Sequence, residues 1–201
     1  MQDIPRSQSD CPRQTQKRGL KNRWLKGTFG MILLLVVLAS LAACGGEPKV
    51  WATAGRTLEL HVKQPELVER VAFVDGQGDH RVVRPRASNR QLAVVNITIV
   101  NRTSTIIPML VGPDAAQLGD RRGERVDAID PFERGIVVDS TDLEEEDRFV
   151  PLLWGQVELE RNFQVSGWMI FDVPKGLTLG TLWWEEVDSM LSDYVDYTRN
   201  R

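Results

Sequence analysis

The sequence contains only two cysteines, and both precede the part of the chain that is patterned like a folded body. Cys11 and Cys44 therefore cannot form a disulfide within that body. The two histidines, His61 and His80, stand far apart, and no Cys-x-x-Cys or His-x-x-x-His spacing occurs. A Gly-x-Ser-x-Gly nucleophile motif is also absent. These absences remove the usual sequence signals of a disulfide scaffold, a zinc site and a serine hydrolase.

The body of the chain also lacks a positive net charge. The whole protein has 25 basic and 28 acidic side chains, but residues 44–201 hold 18 basic and 26 acidic ones, a net charge of −8. An acidic body repels phosphate backbones, so we expect no nucleic-acid partner.

Only one long apolar run is present, and it is too short to cross a membrane. It covers residues 29–43, whereas the hydrocarbon core requires about 20 residues. The basic segment "KRGLKNRWLK" precedes it, and small residues with a cysteine follow it. This order is typical of a secretory signal peptide. An uncleaved signal anchor is one alternative, and a buried helix is another, although the run is not amphipathic.

The end of this run, "LAAC", resembles the lipobox of bacterial lipoprotein signal peptides. The resemblance implies cleavage between Ala43 and Cys44 and attachment of a diacylglyceryl group to the Cys44 thiol. Two acyl chains hold a protein stably at a membrane. We therefore expect residues 1–43 to be a cleaved lipoprotein signal peptide and residues 44–56 to be the lipidated cysteine with a short tether. The protein would then be anchored outside the cytoplasm, in a bacterial cell envelope.

Beyond the tether the dominant hydrophobic period is two, which predicts β-strands. "TLELHVK" and "QLAVVNITIVN" both alternate, and "DGQGD" predicts a hairpin turn between two further strands. Pro108 predicts an edge strand because proline cannot donate to a ladder. No long amphipathic helix is available to cover a parallel sheet. The prediction is an all-β fold, an antiparallel β-sandwich over residues 57–188.

Two parts of the chain fit this alternating pattern less well. Residues 112–150 are rich in charged and turn residues, which predicts a charged loop insertion with one or two short strands. Residues 189–201 predict a C-terminal tail or a short helix.

Two segments, "LAVVNITIVNRT" and "VELERNFQVSGWMIFDVPKG", resemble an immunoglobulin-like domain family of unknown function that many bacterial surface lipoproteins carry. The resemblance covers roughly residues 57–186. It implies an immunoglobulin-like β-sandwich outside the cytoplasmic membrane. It carries over no catalytic residues, and the sequence departs from the family pattern at Arg161-Asn162, where a Pro-Gly turn is usual.

The remaining candidate sites are an acidic segment and the tryptophans. "DSTDLEEED", residues 139–147, offers the oxygen ligands that calcium prefers, although such a run is more often a solvated loop. Trp168, Trp183 and Trp184 either expose aromatic surface to a glycan or protein partner or are covered by the C-terminal segment.

These observations predict a non-enzymatic, lipid-anchored binding or interaction module that needs no cofactor. Its contacts would be the membrane, through the lipid on Cys44, and a protein or glycan partner. A calcium-dependent adhesion or stabilisation module that uses residues 139–147 is the alternative. A cell-wall hydrolase with a carboxylate pair invisible in the sequence is a further one.

Overall fold

The structure is a computed structural model, and it describes residues 49–121, 123–139 and 144–195. These residues are almost entirely β-structure with antiparallel sheets, which confirms the predicted all-β sandwich class. Among the described residues the one α-helix, α1, covers Pro131–Arg134, and 3-10 turns cover Pro113–Ala115 and Glu145–Asp147. The strands of the described residues are β1 (Val50–Ala54), β2 (Leu58–Lys63), β3 (Glu66–Val68), β4 (Val71–Val74), β5 (His80–Val83), β6 (Arg90–Asn101), β7 (Ile107–Val111), β8 (Ala116–Gly119), β9 (Arg125–Asp127), β10 (Ile136–Val137), β11 (Gly155–Leu159), β12 (Gln164–Pro174), β13 (Thr181–Trp184) and β14 (Met190–Asp193).

The longest strand, β6, organises the central sheet. It pairs antiparallel with β12 along one side, from Arg90↔Pro174 to Val100↔Gln164. On its other side it pairs with β2 near Asn101 and with β3 near Leu92. β1 adds to the far edge of β2, so the order is β1-β2-β6-β12.

The main hydrophobic core lies on one face of this sheet. The alternation of β2 and β6 places every second side chain there, as predicted from the sequence. The smaller sheets β7-β11 and β14-β13-β8-β9 cover this face, and Trp184 is the largest side chain fully buried in it. The central-sheet residues of this core are Leu58, Leu60, Val62, Ala93, Val95, Ile97, Ile99, Met169, Phe171 and Val173.

A second, smaller core covers part of the opposite face. There Leu92, Val94 and Ile170 pack against Val71, Phe73 and Val83 of the β4-β5-β10 sheet and against Phe149. β6 therefore buries both of its faces between residues 92 and 95, which explains why this stretch is apolar without interruption.

The outer edge of β12 is covered by a neighbouring segment that approaches closely. Trp168 donates its backbone N–H to the Pro151 carbonyl at 2.9 Å, and Leu153 donates to the Trp168 carbonyl at 2.9 Å. A Cβ at Gly167 would lie 2.8 Å from the Leu153 nitrogen, so only glycine fits this approach.

Two predicted boundaries are wrong in the described residues, and the insertion holds one strand more than expected. The tether was expected to reach residue 56, but β1 begins at Val50 because it pairs with β2. The C-terminal tail or helix was expected from residue 189, but Met190–Asp193 pairs with β13 as β14. The insertion near 112–150 was expected to be loop with one or two short strands; it has three short strands, β8, β9 and β10, and its other described residues are mainly loops and turns. In each case tertiary pairing outweighs a weak local pattern.

Candidate functional site: an arginine-lined groove at one end of the central sheet

The predicted lipidation site lies outside the described residues. Ala43 and Cys44, together with the apolar run at 29–43, precede residue 49, where the described part of the chain begins. Cleavage and acylation therefore remain predictions. Within the residues that the structure describes, no helix has the length and apolar character to cross a membrane.

The acidic segment is only partly described, because residues 140–143 lie outside the described residues. Its later part is engaged in ion pairs with arginines. Glu144 and Asp147 both contact Arg70, and Glu145 pairs with Arg148 at 2.9 Å. No cluster of three metal-ligating side chains occurs among the described residues.

The tryptophans do not form an exposed aromatic surface in the described residues. Trp184 is fully buried and Trp183 is 5% exposed, with Arg125 stacked 4.1 Å from the Trp183 ring. Trp168 packs edge-on against Phe149. The C-terminal segment covers part of this surface, because Met190 of β14 pairs with Trp184. Trp183 and Trp184 are therefore buried, and Met190 of the C-terminal segment lies in the same core as Trp184.

The two histidines have different surroundings. His61 lies 2.6 Å from Glu59 through its Nε2 atom, and this hydrogen bond, together with Arg102, holds the pKa of Glu59 below its usual value. His80 stands at the start of β5, where its Nδ1 atom is buried without a partner among the described residues. Neither histidine lies beside a serine, threonine or cysteine in a recorded contact that would activate a nucleophile.

The most concentrated polar constellation surrounds Asp172, whose side chain is fully buried in β12. Arg86 donates its backbone N–H at 3.2 Å and its Nε at 3.0 Å to Asp172 Oδ2. Arg90 donates its Nε to Oδ1 at 2.9 Å and also bonds the Asp172 carbonyl. Arg134 of α1 lies 3.7 Å from Oδ2.

The pKa of Asp172 follows from this arrangement. Burial by itself would raise the pKa of this carboxyl group, but the hydrogen bonds from Arg90 and Arg86 outweigh it and leave the pKa below its usual value. Asp172 is therefore a carboxylate at neutral pH, and it fixes the arginine-rich turn between β5 and β6 to β12. Because one carboxylate faces three guanidinium groups, the neighbourhood remains positively charged.

A groove of about 600 Å³ opens beside this constellation. It lies where β6 begins and where the turns before β4, before β6 and after β12 meet. Three of its side chains are cationic and one, Glu69, is acidic. The lining residues are Leu67, Val68, Glu69, Arg84, Pro85, Ala87, Ser88, Arg90, Gln91 and Lys175.

Two of the cations in the groove are available to a ligand. Arg84 and Lys175 are exposed, and their side chains make no recorded ion pair or hydrogen bond with other described residues. Leu67, which is 55% exposed, adds an apolar surface on β3. A guanidinium group presents a planar fork of donors that matches phosphate or carboxylate oxygens, and an ammonium group adds a point charge. The groove can therefore bind an anionic group that carries an apolar part.

This groove was missed at the level of the sequence. The acidic net charge suggested that the body carries no basic surface, but "HRVVRPRASNR" holds four arginines within ten residues, Arg81, Arg84, Arg86 and Arg90. This local density of arginines was the feature of the sequence that could have indicated a basic surface. Lys175 and Leu67 could not be added to it from the sequence, because only the pairing of β6 with β12 and β3 brings them to the same end.

Comparison with known proteins gives no family for this chain. No protein-family model matches it, and no curated protein sequence matches it. The immunoglobulin-like family suggested by the sequence therefore remains a prediction.

Three solved structures are similar to the chain at low identity. A Bacillus subtilis protein described as a candidate lipoprotein has 15% identity to this chain and a TM-score of 0.44. The match covers 74% of this chain but only 35% of the length of the Bacillus protein. An uncharacterised β-sandwich protein from Clostridium difficile has 9% identity and a TM-score of 0.39, covering 75% of this chain and 97% of that one. A functionally unknown protein from Listeria monocytogenes has 11% identity and a TM-score of 0.37, covering 75% and 88%. Scores this low assign neither a ligand nor an activity.

Proposed function

We propose that the protein is a lipid-anchored, extracytoplasmic binding module without catalytic activity, and that its arginine-lined groove binds a phosphate-bearing anion. The observation that carries this proposal is the pair of unpartnered cations, Arg84 and Lys175, in a groove whose shape Asp172 fixes. Positive charge is concentrated there although residues 44–201 are acidic overall.

The chemistry of the groove favours binding over catalysis. Its described lining residues include neither a histidine nor a cysteine, and Glu69 is the one carboxylate among them. General acid–base catalysis requires a group that exchanges protons near neutral pH, and arginine remains charged throughout that range. Fixed cations stabilise a bound anion without any proton transfer.

The binding proposal is tested by calorimetric titration of the protein with glycerol 3-phosphate, a small phosphate monoester. The double variant Arg84→Ala/Lys175→Ala is expected to weaken binding at least about tenfold, since one charge-assisted hydrogen bond contributes about 1.5–3 kcal/mol. The matched control, Arg56→Ala/Arg161→Ala, removes two exposed cations at the opposite end and should leave the affinity unchanged. Equal affinity in both double variants, or no binding by the wild type, would contradict the proposal.

The anchor is tested separately by metabolic labelling with a fatty acid. The wild type should incorporate the label and Cys44→Ala should not. Labelling of both proteins would rule out lipidation at Cys44.

No observation favours the other candidate functions. The described acidic residues of 144–147 contact arginines, which leaves calcium binding to this segment without structural support. Two smaller pockets lie elsewhere on the described body, one beside the turn between β1 and β2 and one beside β7. Each of them, like the groove, contains a single carboxylate (Asp188, Glu186 and Glu69, respectively), so none has the carboxylate pair of a glycoside hydrolase.

A further inference from the structure

The described body has two ends that differ in character. The end where β6 begins, which we call the basic end, contains Arg84, Arg86, Arg90 and Lys175 with the groove between them. At the opposite end β6 finishes at Asn101, whose side chain bonds the Thr105, Leu159 and Glu160 carbonyls. That side chain ties two turns together, and no groove of comparable cationic lining is described there.

The direction of β1 relates these ends to the start of the body. β1 runs antiparallel to β2, with Val50 opposite Lys63 and Ala54 opposite Glu59. β2 in turn places Leu58 opposite Asn101 and Val62 opposite Ile97. β1 therefore runs from the middle of the sheet toward the Asn101 end, and the chain enters β1 from the side of the basic end.

The length between Cys44 and Val50 decides whether the basic end can face a membrane. Six residue steps span at most about 20 Å. Val50 pairs with Lys63, which follows Val62, and Val62 pairs with Ile97, so Val50 lies level with Asn96 on β6. Arg90 lies six residues further toward the basic end, a distance of about 20 Å. An anchor on Cys44 can therefore reach the level of the basic end by continuing the direction of β1. The Asn101 end lies five residues from the same level, about 17 Å, so the tether also permits that orientation and the charge of the basic end decides between the two.

We propose that the basic end docks onto the anionic phospholipid headgroups of the membrane that holds the anchor. This inference rests on the proposed function, and it names the lipid phosphate as the anion that occupies the groove. Charge complementarity supports the choice of partner, because basic residues near an anionic lipid surface are attracted over a Debye length of about 10 Å. The exposed Leu67 at the same end provides an apolar side chain that can enter the interfacial region.

The chain offers a direct test by single-cysteine labelling. In the mature lipoprotein Cys44 is acylated and Cys11 has been removed with the signal peptide, so an introduced cysteine is the only free thiol. Asn89→Cys marks the basic end without lining the groove, and Ser104→Cys marks the opposite end; both positions are exposed. The strand between them places the two labels about 35 Å apart along the sheet.

The measurement is energy transfer from a fluorophore on each cysteine to an acceptor attached to lipid headgroups. The lipidated full-length protein is reconstituted in vesicles of phosphatidylcholine with or without phosphatidylglycerol. With phosphatidylglycerol, the label at residue 89 should transfer several-fold more efficiently than the label at residue 104. In phosphatidylcholine alone the two efficiencies should converge, because the domain is tethered but not docked.

Charge-reversal variants identify the groove as the contact. Arg84→Glu/Lys175→Glu should make the two efficiencies converge even with phosphatidylglycerol, whereas the control Arg56→Glu/Arg161→Glu should preserve the difference. Equal transfer from both labels in the wild type would overturn the inference. A difference that persists in phosphatidylcholine alone, or in Arg84→Glu/Lys175→Glu, would also overturn it, since the tether alone would then set the orientation.

The outcomes separate this inference from the proposed function. A wild type that fails to associate with any vesicle contradicts the lipid anchor itself. A protein that is anchored and binds glycerol 3-phosphate, but does not orient on phosphatidylglycerol, retains the proposed function and loses the docking.

Discussion

Asp172 is the residue on which the geometry of the groove depends. It holds the turn that carries Arg84 and Arg86 and fixes Arg90 at the start of β6. Removing its charge leaves guanidinium groups without their partner, and breaking a buried pair on one side costs about 3–5 kcal/mol. Asp172→Asn is therefore expected to lower the free energy of unfolding at pH 7 by this amount, as measured by denaturant titration. Glu145→Gln, which alters an exposed pair with Arg148, should stay within about 1 kcal/mol of the wild type.

The pH dependence of this effect has a definite sign. The pKa of Asp172 is lower in the folded protein than the value of about 3.9 in an unfolded chain. Its stabilising contribution is therefore fully present above about pH 4 and is lost as the pH falls through the folded-state pKa. The difference between wild type and Asp172→Asn should shrink below pH 4. A difference that stays constant down to the acid unfolding transition would contradict the assignment.

At the scale of the elements, the edge of β12 depends on a glycine. A Cβ at position 167 would meet the backbone nitrogen of Leu153 at 2.8 Å and the carbonyl oxygen of Pro151 at 3.0 Å. Gly167→Ala should destabilise the fold by about 1–3 kcal/mol, because backbone atoms cannot yield as a flexible side chain can. Gly112→Ala has no atom within 4 Å of its new Cβ and serves as the control. Thermal unfolding of both variants checks this, and equal melting temperatures would contradict the close approach.

The C-terminal strand β14 provides the second prediction at this scale. Met190 is 4% exposed and belongs to the main core, whereas Val195, just beyond the strand, is 41% exposed. Met190→Asp should cost about 3 kcal/mol or more, because it places a charge in the core. Val195→Asp should change stability by no more than about 0.5 kcal/mol. If both variants were equally stable in urea titration, the segment would be the peripheral tail that its sequence suggests.

The strands that could be predicted from the sequence are those in which apolar residues alternate clearly along the strand. β2, β6 and β12 are long enough for alternation to be visible, and their buried faces agree with the prediction. β8 and β9 have four and three residues, and "AQLG" and "RVD" carry too little pattern to be recognised. Such short strands exist because a neighbour supplies their hydrogen bonds, and only the fold reveals that neighbour.

At the scale of the whole molecule, charge is distributed unevenly between the two ends. The net charge of −8 for residues 44–201 is a total for the whole body, so it hides the positive charge of the basic end. The groove joins Leu67, Arg84 and Lys175, which the chain separates by about a hundred residues and the central sheet brings together. Composition therefore cannot reveal this site, whereas the resemblance of "LAAC" to a lipobox is local and can be seen in the sequence itself.

The most direct test of the central claim is to locate the bound anion by solution NMR. Backbone amide shifts of the isotope-labelled protein are followed while glycerol 3-phosphate is added, with sodium chloride at equal ionic strength as the reference. The account predicts saturable shifts concentrated at residues 67–69, at 84–91 and at Lys175. Shifts confined to the Asn101 end, or no shifts beyond those caused by sodium chloride, would contradict the account.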